Sequence, residues 1–287
     1  MNNEVIRINE NSWRIEDGLD HFTDERDEHL LESDRYTFFV LRRILGGGCR
    51  LILSDHERFI LAYSCPPYPV WIWTADGASE AELEQAYRIA KIHGLLDGKH
   101  TFNVKYEFAE VMLRLAVQDG VPLALTMNMF AYDCPEPKKP SVRADGELHC
   151  CTPDDLDTVT EFIEFFHQET GIDHKEHDAC RADAAAHIDS GRMYLWRNAE
   201  GKFTASCKYG PNGSMAAVNL VCTLPECRRK HYAENLVYEV TMLAAGEGFL
   251  PMLYTNADYE ASNACYEKIG YVLRGKLCTV GPAQDDR

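Results

Sequence analysis

Two stretches of this chain combine residue types that could do chemistry. In the first, VCTLPECRRKHYAE (Val221–Glu234), an apolar run ends in Thr-Leu-Pro, Arg228, Arg229 and Lys230 follow, and an amphipathic pattern opens at Ala233. That order predicts a strand passing through a basic turn into a helix. The start of a helix has unpaired N–H groups and a partial positive charge, so it receives anions well. Arginine forks add charge-assisted hydrogen bonds, which makes such a turn suited to a diphosphate. The plainer reading of the same residues is a solvated basic turn. In the second stretch, SNACYEKIGY (Ser262–Tyr271), Asn263 and Tyr266 lie on one predicted helix. Read alone, a tyrosine on an amphipathic helix is a half-buried packing residue.

Other reactive residue types form weaker patterns. The eleven cysteines are an odd number with no CxxC pair, and Cys207, Cys222 and Cys265 stand in apolar settings. Reduced, buried thiols of a cytoplasmic protein are expected. Cys222 and Cys227 flank the basic turn but have no His-Asn or His-Asp partner pattern, so a cysteine hydrolase is disfavoured. His174, His177 and Cys180 fall at i, i+3 and i+6. That is not standard zinc spacing, and no metal is expected.

The totals narrow the class. With 29 Lys and Arg against 46 Asp and Glu, the net charge is -17. Such a field opposes phosphate backbones, so no nucleic-acid partner is expected, while it favours approach of cations such as an amine. No apolar run nears the roughly 18 residues of a membrane span, so no membrane partner is expected. The start, MNNEVIRINENSW, carries neither a basic leader nor an apolar signal core.

The sequence predicts the supports of these residues as follows. CPEPKKP (Cys134–Pro140) cannot continue a helix or central strand and reads as a linker. It separates a domain of residues 1–133 from one of residues 146–287, with 134–145 between them. In the second, GELHCCT is a strand, DDLDTVTEFIEFFHQ and CRADAAAHIDSG are helices, and RMYLWRN, KFTASCKYG and AAVNLVCT are strands. A helix from about Ala233 to Glu247, the strand PMLYTN, the helix SNACYEKIG and the strand YVLRGKLCTV complete it. The first half has a hairpin, CRLILSD and RFILAYS, then PVWIWTA, SEAELEQAYRIAKIHG, FNVKY, EFAEVMLRLAVQDG and VPLALTMNMFAY. Both halves therefore end strand–helix–strand–helix–strand, as in an internal repeat. The junction in the first half, TADGASEAE, has no arginine, so only one half can bind the anion. YPVWIWT is expected to pack the core, with Trp71 or Trp73 beside an acceptor pocket as the secondary reading.

VCTLPECRRKHYA closely resembles the acyl-CoA-binding motif of the GNAT acyltransferase superfamily: strand, Thr-x-Pro, then Arg or Gln-x-x-Gly-x-Gly or Ala. Arg228 takes the Arg/Gln position and Ala233 the final small one. LYTNADYEASNACYEKIGYV is similar to the closing signature of that family, and the two motifs stand in the right order and separation. The resemblance covers about Gly146 to Val280; for the first half it rests on element order, similar to tandem members with one degenerate copy. It implies an α/β fold, a mixed central sheet flanked by helices as in acyl-CoA N-acyltransferases, and acetyl-CoA as acyl donor. Carried over residue by residue, it gives Val221, Cys222 and Thr223 contacts to thioester and pantetheine. The turn Arg228, Arg229, Lys230, His231, Tyr232, Ala233 and Glu234 wraps the pyrophosphate, Asn263 contacts the pantetheine arm, and Tyr266 is the general acid that protonates the departing thiolate. His231 departs from the family pattern, standing where the first glycine allows close backbone approach. Its side chain must point away or add a donor of its own. The strand MAAVN carries no acid, so no general base is assigned. Asp173, Glu176 and Asp178 lie where the family shapes its acceptor pocket and could hold a cationic amine. The activity implied is transfer of acetyl to a primary amine of a small molecule or peptide by direct attack in a ternary complex; the alternative is a non-catalytic CoA-binding sensor or interaction protein.

Overall fold

The computed structural model describes residues 18–171 and 175–283. In chain order, α1 (Glu25–Leu30), α2 (Phe39–Leu45), β1 (Leu51–Ser54), β2 (Phe59–Tyr63), β3 (Val70–Thr74), α3 (Glu80–Ile92), β4 (Phe102–Val104), α4 (Tyr106–Asp119) and β5 (Leu123–Asp133) come first. Then follow β6 (Glu147–Cys150), α5 (Leu156–Thr170), α6 (His177–Asp189), β7 (Met193–Arg197), β8 (Phe203–Asn212), β9 (Met215–Thr223), α7 (Tyr232–Gly246), β10 (Leu250–Asn256), α8 (Glu260–Ile269) and β11 (Val272–Pro282). The elements expected from hydrophobic period appear in the expected order, including both strand–helix–strand–helix–strand endings. The fold is α/β, with mixed sheet flanked by helices.

The chain divides into two compact units. Unit 1 contains the described residues through Met129 together with those from Gly275 onward, and unit 2 runs from Phe130 to Arg274. This differs from a division at 134–145 in two places, each with a packing reason. First, the Gly275–Pro282 part of β11 belongs to unit 1, where Cys278 and Val280 pair antiparallel with Val104 and Phe102 of β4. These two side chains are fully buried in a core with Val70, Ile72, Phe108 and Met112. Second, the proline-rich segment packs on unit 2. The Cys134 N–H donates to the Pro251 carbonyl at 2.8 Å, and that of Lys138 donates to Ile269 at 2.6 Å.

In unit 1 the strand order is β1-β2-β3-β4-β11-β5, antiparallel from β1 to β3 and parallel from β3 to β4. Trp71 and Trp73 are buried there, the Trp73 indole N–H donating to Asp34 Oδ2 at 2.7 Å. Both belong to packing, in agreement with the plainer of the two readings. Unit 2 follows the order β5-β10-β9-β8-β7-β6, an antiparallel meander from β6 to β9 joined in parallel to β10. One core contains α7 residues such as Leu236, Val237 and Val240 with Tyr209, Val218, Tyr266 and Ile269. A second gathers Val159, Phe162 and Ile163 of α5 with Cys180 of α6 and Leu195 of β7.

Candidate functional site

The candidate site starts with a fault in β9. Ser206 pairs with Cys222 and Lys208 with Asn219, so two residues of β9, Leu220 and Val221, oppose the single Cys207 of β8. Leu220 takes φ 51°, a left-handed conformation that bends the strand. Ser206 Oγ fixes the bulge, donating to the Leu220 carbonyl at 2.8 Å and lying 3.0 Å from Cys222 Sγ. On the other side, β9 pairs with β10 only from Met215–Ala217 to Leu250–Met252. Beyond that register β9 runs on to Thr223 and β10 to Asn256 without a shared ladder. On the β10 side the last residues of β9 therefore have no ladder partner, which leaves a gap in the hydrogen bonding between the two strands.

The basic turn continues this geometry. Pro225–Cys227 form a single 3-10 turn in which Cys227 N–H bonds the Leu224 carbonyl at 2.8 Å. Arg229 and His231 then both take left-handed backbone, φ 61° and 62°, and α7 begins at Tyr232 with no side chain capping it. Among the described residues, no hydrogen bond occupies the main-chain N–H groups from Arg229 to Glu234. A run of unpaired donors at the start of a four-turn helix is an anion receptor. His231 thus adopts the backbone that a glycine would supply, and histidine is among the side chains that tolerate it. Its Nδ1 lies 3.1 Å from Glu234 Oε2, so the ring turns aside to a buried carboxylate.

The individual side chains are placed as follows. Val221 packs against the core that includes Tyr266, while Cys222 turns to α5, its thiol 3.8 Å from the Phe162 carbonyl. Burial raises the Cys222 thiol to about 11, so it is no nucleophile at neutral pH. Thr223 gives its carbonyl to Arg228 Nε at 3.3 Å, and Arg228 Nη2 forms an ion pair with Glu169 at the end of α5. Arg229 and Lys230 are exposed, and Tyr232 is buried with its hydroxyl donating to Asp145 at 2.8 Å. Ala233 is half-buried, leaving the helix start open to close approach.

Asn263 and Tyr266 project from α8. Asn263 Nδ2 donates to the Ala257 carbonyl at 2.9 Å and the Asn256 carbonyl at 3.3 Å, beyond the end of β10. Its Oδ1 is buried with no partner, and a buried orphan acceptor needs a donor to account for it. An amide N–H of a pantetheine arm would supply one. With the uncapped helix start and the strand gap, this donor and acceptor set fits an extended ligand bearing amides and a diphosphate. Tyr266 is buried, its ring 5.8 Å from that of Tyr271 in an edge-on contact. Burial raises its phenol far above the ordinary value, and the thiols of Cys265, Cys207 and Cys222 add to this. The group therefore holds its proton through the whole neutral range.

Among the described residues, the acidic stretch between α5 and α6 brings no group of metal-ligating side chains together. Asp173 and His174 lie outside the described residues; Glu176 and Asp178 are exposed. His177 Nδ1 meets Glu164 at 2.6 Å whereas Cys180 is buried with its thiol toward the Lys175 carbonyl, so the two do not converge on a metal. Sequence reasoning missed Glu169, whose only signal is its place near the end of a helix. It also missed His187, whose Nδ1 lies 3.0 Å from Lys208 Nζ and which burial, then Lys208, lowers to about 4. In unit 1 the junction corresponding to the basic turn is closed to anions. Ser79 and Glu82 form a reciprocal capping box on α3, and Lys105 Nζ is held by Asp34 and Asp76 at 2.6 Å each.

Comparison with known proteins gives two kinds of likeness. Residues 195–280 match the family model of FR47-like proteins, a stretch that runs from β7 to β11 and includes the bulge, turn and α8. Among solved structures, a GCN5-related N-acetyltransferase from Sphaerobacter thermophilus is similar over 92% of this chain and 95% of its own, with TM-score 0.66 and 11% identity. A Drosophila protein is similar over 93% and 98%, with TM-score 0.64 and 12% identity. A GCN5-related N-acetyltransferase from Kribbella flavida covers 88% and 96%, with TM-score 0.59 and 14% identity. At these identities the likeness is one of fold. No curated protein matches the sequence.

Proposed function

We propose that the chain, which matches the FR47-like family model over residues 195–280 and shares its fold with GCN5-related N-acetyltransferases, is a GNAT-superfamily member whose unit 2 transfers an acetyl group from acetyl-CoA to a primary amine. The observation that carries this reading is the gap between β9 and β10, leading to the uncapped start of α7. A thioester lying in the gap would find main-chain partners on Val221, Cys222 and Thr223. The pyrophosphate would meet the N–H groups from Arg229 to Glu234, and Asn263 Oδ1 would accept from the pantetheine arm. The amine nitrogen attacks the thioester carbonyl directly, the C–N bond forms and the C–S bond breaks. Tyr266 gives its proton to the sulfur and regains one from solvent, which takes up the proton that the nitrogen releases. A small or peptide amine is the acceptor, and the -17 charge favours a cationic one. Buried reduced thiols suit a cytoplasmic setting.

Thiol release from acetyl-CoA in the presence of an amine panel tests the proposal. A non-catalytic CoA-binding protein is the second reading. It is favoured by β9 having no carboxylate and by Glu169 on Arg228; that protein would bind CoA and release no thiol with any amine. Two expectations follow for binding. Arg228→Ala weakens CoA binding about tenfold, the value of one charge-assisted hydrogen bond; unchanged affinity would remove Arg228 from the site. Calorimetric titration saturates at one CoA per chain, because the α3 start and Lys105 in unit 1 are already satisfied. A second equivalent would place a further site outside unit 2.

A further inference from the structure

Glu169 stands in an unexpected position for a site that takes an anion. It lies at the end of α5, about half-exposed, and its carboxylate pairs with the terminal nitrogen of Arg228, itself about half-exposed. Arg228 Nε is meanwhile directed to the Thr223 carbonyl at 3.3 Å, so the Nε and Nη2 donors are both engaged inside unit 2. Neighbouring acids have different partners: Glu164 meets His177 and Glu226 meets Lys202. Of these acids, Glu169 alone reaches the basic turn, and it reaches Arg228, the first arginine after the Thr-x-Pro strand end.

We propose that Glu169 is a built-in competitor for the diphosphate, holding the Arg228 fork until the cofactor displaces it. The inference rests on the acyl-CoA reading of the turn. Two electrostatic effects act in the same direction. The ion pair must open before Arg228 can turn its Nη2 edge to a phosphate, and the released carboxylate remains a negative charge beside an incoming anion. The exchange also frees the end of α5 from the turn. An exposed ion pair is worth little on its own, so the device sets affinity by a modest factor and does not forbid binding.

The test is CoA affinity by calorimetry on the full chain, comparing wild type with Glu169→Gln and Glu169→Ala at low and high salt. Both variants are expected to bind CoA about two- to fivefold tighter at low salt, the range that an exposed ion pair permits. The gain should shrink at high salt, and it should fall in an Arg228→Gln background. Both substitutions are at a half-exposed position, and unchanged thermal midpoints without CoA would show the fold intact. A wild type that binds CoA, with both variants equal to it or weaker, overturns the competitor role and leaves the acyl-CoA reading standing. Absence of CoA binding in wild type and variants alike overturns both.

Discussion

Replacing Tyr266 with phenylalanine is expected to lower kcat for acetyl transfer about a hundredfold while leaving acetyl-CoA affinity within about twofold, the usual weight of one general acid. The ring is kept, so its edge contact with Tyr271 and its place in the α7 core survive, and only the phenolic proton is removed. Burial raises the phenol above its ordinary value. The acid form is therefore present throughout the neutral range and is lost only when pH climbs past the raised value. No alkaline decline in kcat arising from Tyr266 is expected below about pH 10, the unperturbed phenol value. Steady-state kinetics on the purified chain, with CoA binding measured separately, check both parts. Equal turnover in the two proteins would return Tyr266 to packing alone.

The second large effect is on stability. Gly270 ends α8 in the left-handed region at φ 106°, and a Cβ built there would lie 2.4 Å from the Glu136 carbonyl oxygen. That oxygen belongs to the proline-rich segment, which is locked against the same turn by the Lys138 to Ile269 hydrogen bond. Alanine must either push main chain away from main chain or distort the turn. Gly270→Ala is expected to cost about 3 kcal/mol, a strained backbone residue plus lost packing. Urea denaturation read by Trp196, the one tryptophan of unit 2, measures it; a loss under about 0.5 kcal/mol would mean that the segment yields freely. Because the same turn follows Tyr266 and carries its carbonyl bond to the Tyr271 N–H, the variant should lose activity as well.

Much of this was legible in the residues. Strong apolar periods located the strands of both halves, and the basic turn could be placed because a Thr-x-Pro strand end and an amphipathic helix bracket it. Asn263 and Tyr266 entered through the resemblance to the GNAT closing signature, since helical spacing alone gives packing residues. The partners of these residues were not legible. Glu169 precedes Arg228 by 59 positions, a separation that no local period encodes. The short helices α1 and α2 were also missed; α1 has its own capping box from Asp24 and Asp27, but at 6 residues it carries too little pattern to read. The proline-rich stretch read as a linker because its composition excludes helix and strand, yet composition says nothing about what irregular chain can pack against. The end of β11 illustrates the same limit. Its apolar residues announced a buried strand without naming the core that buries it.

That last strand has a consequence for how the protein is made. Cys278 Sγ reaches the Val104 carbonyl across 174 positions, and the unit 1 sheet includes the Gly275–Pro282 segment between β4 and β5. On a ribosome, the earlier unit emerges first and yet lacks one of its interior strands until synthesis has passed through unit 2. Its edges of β4 and β5 stay without their partner during that interval, a long-range closure of the kind that slows folding. Nascent chains of this protein should therefore mature in the reverse of the order in which they are translated.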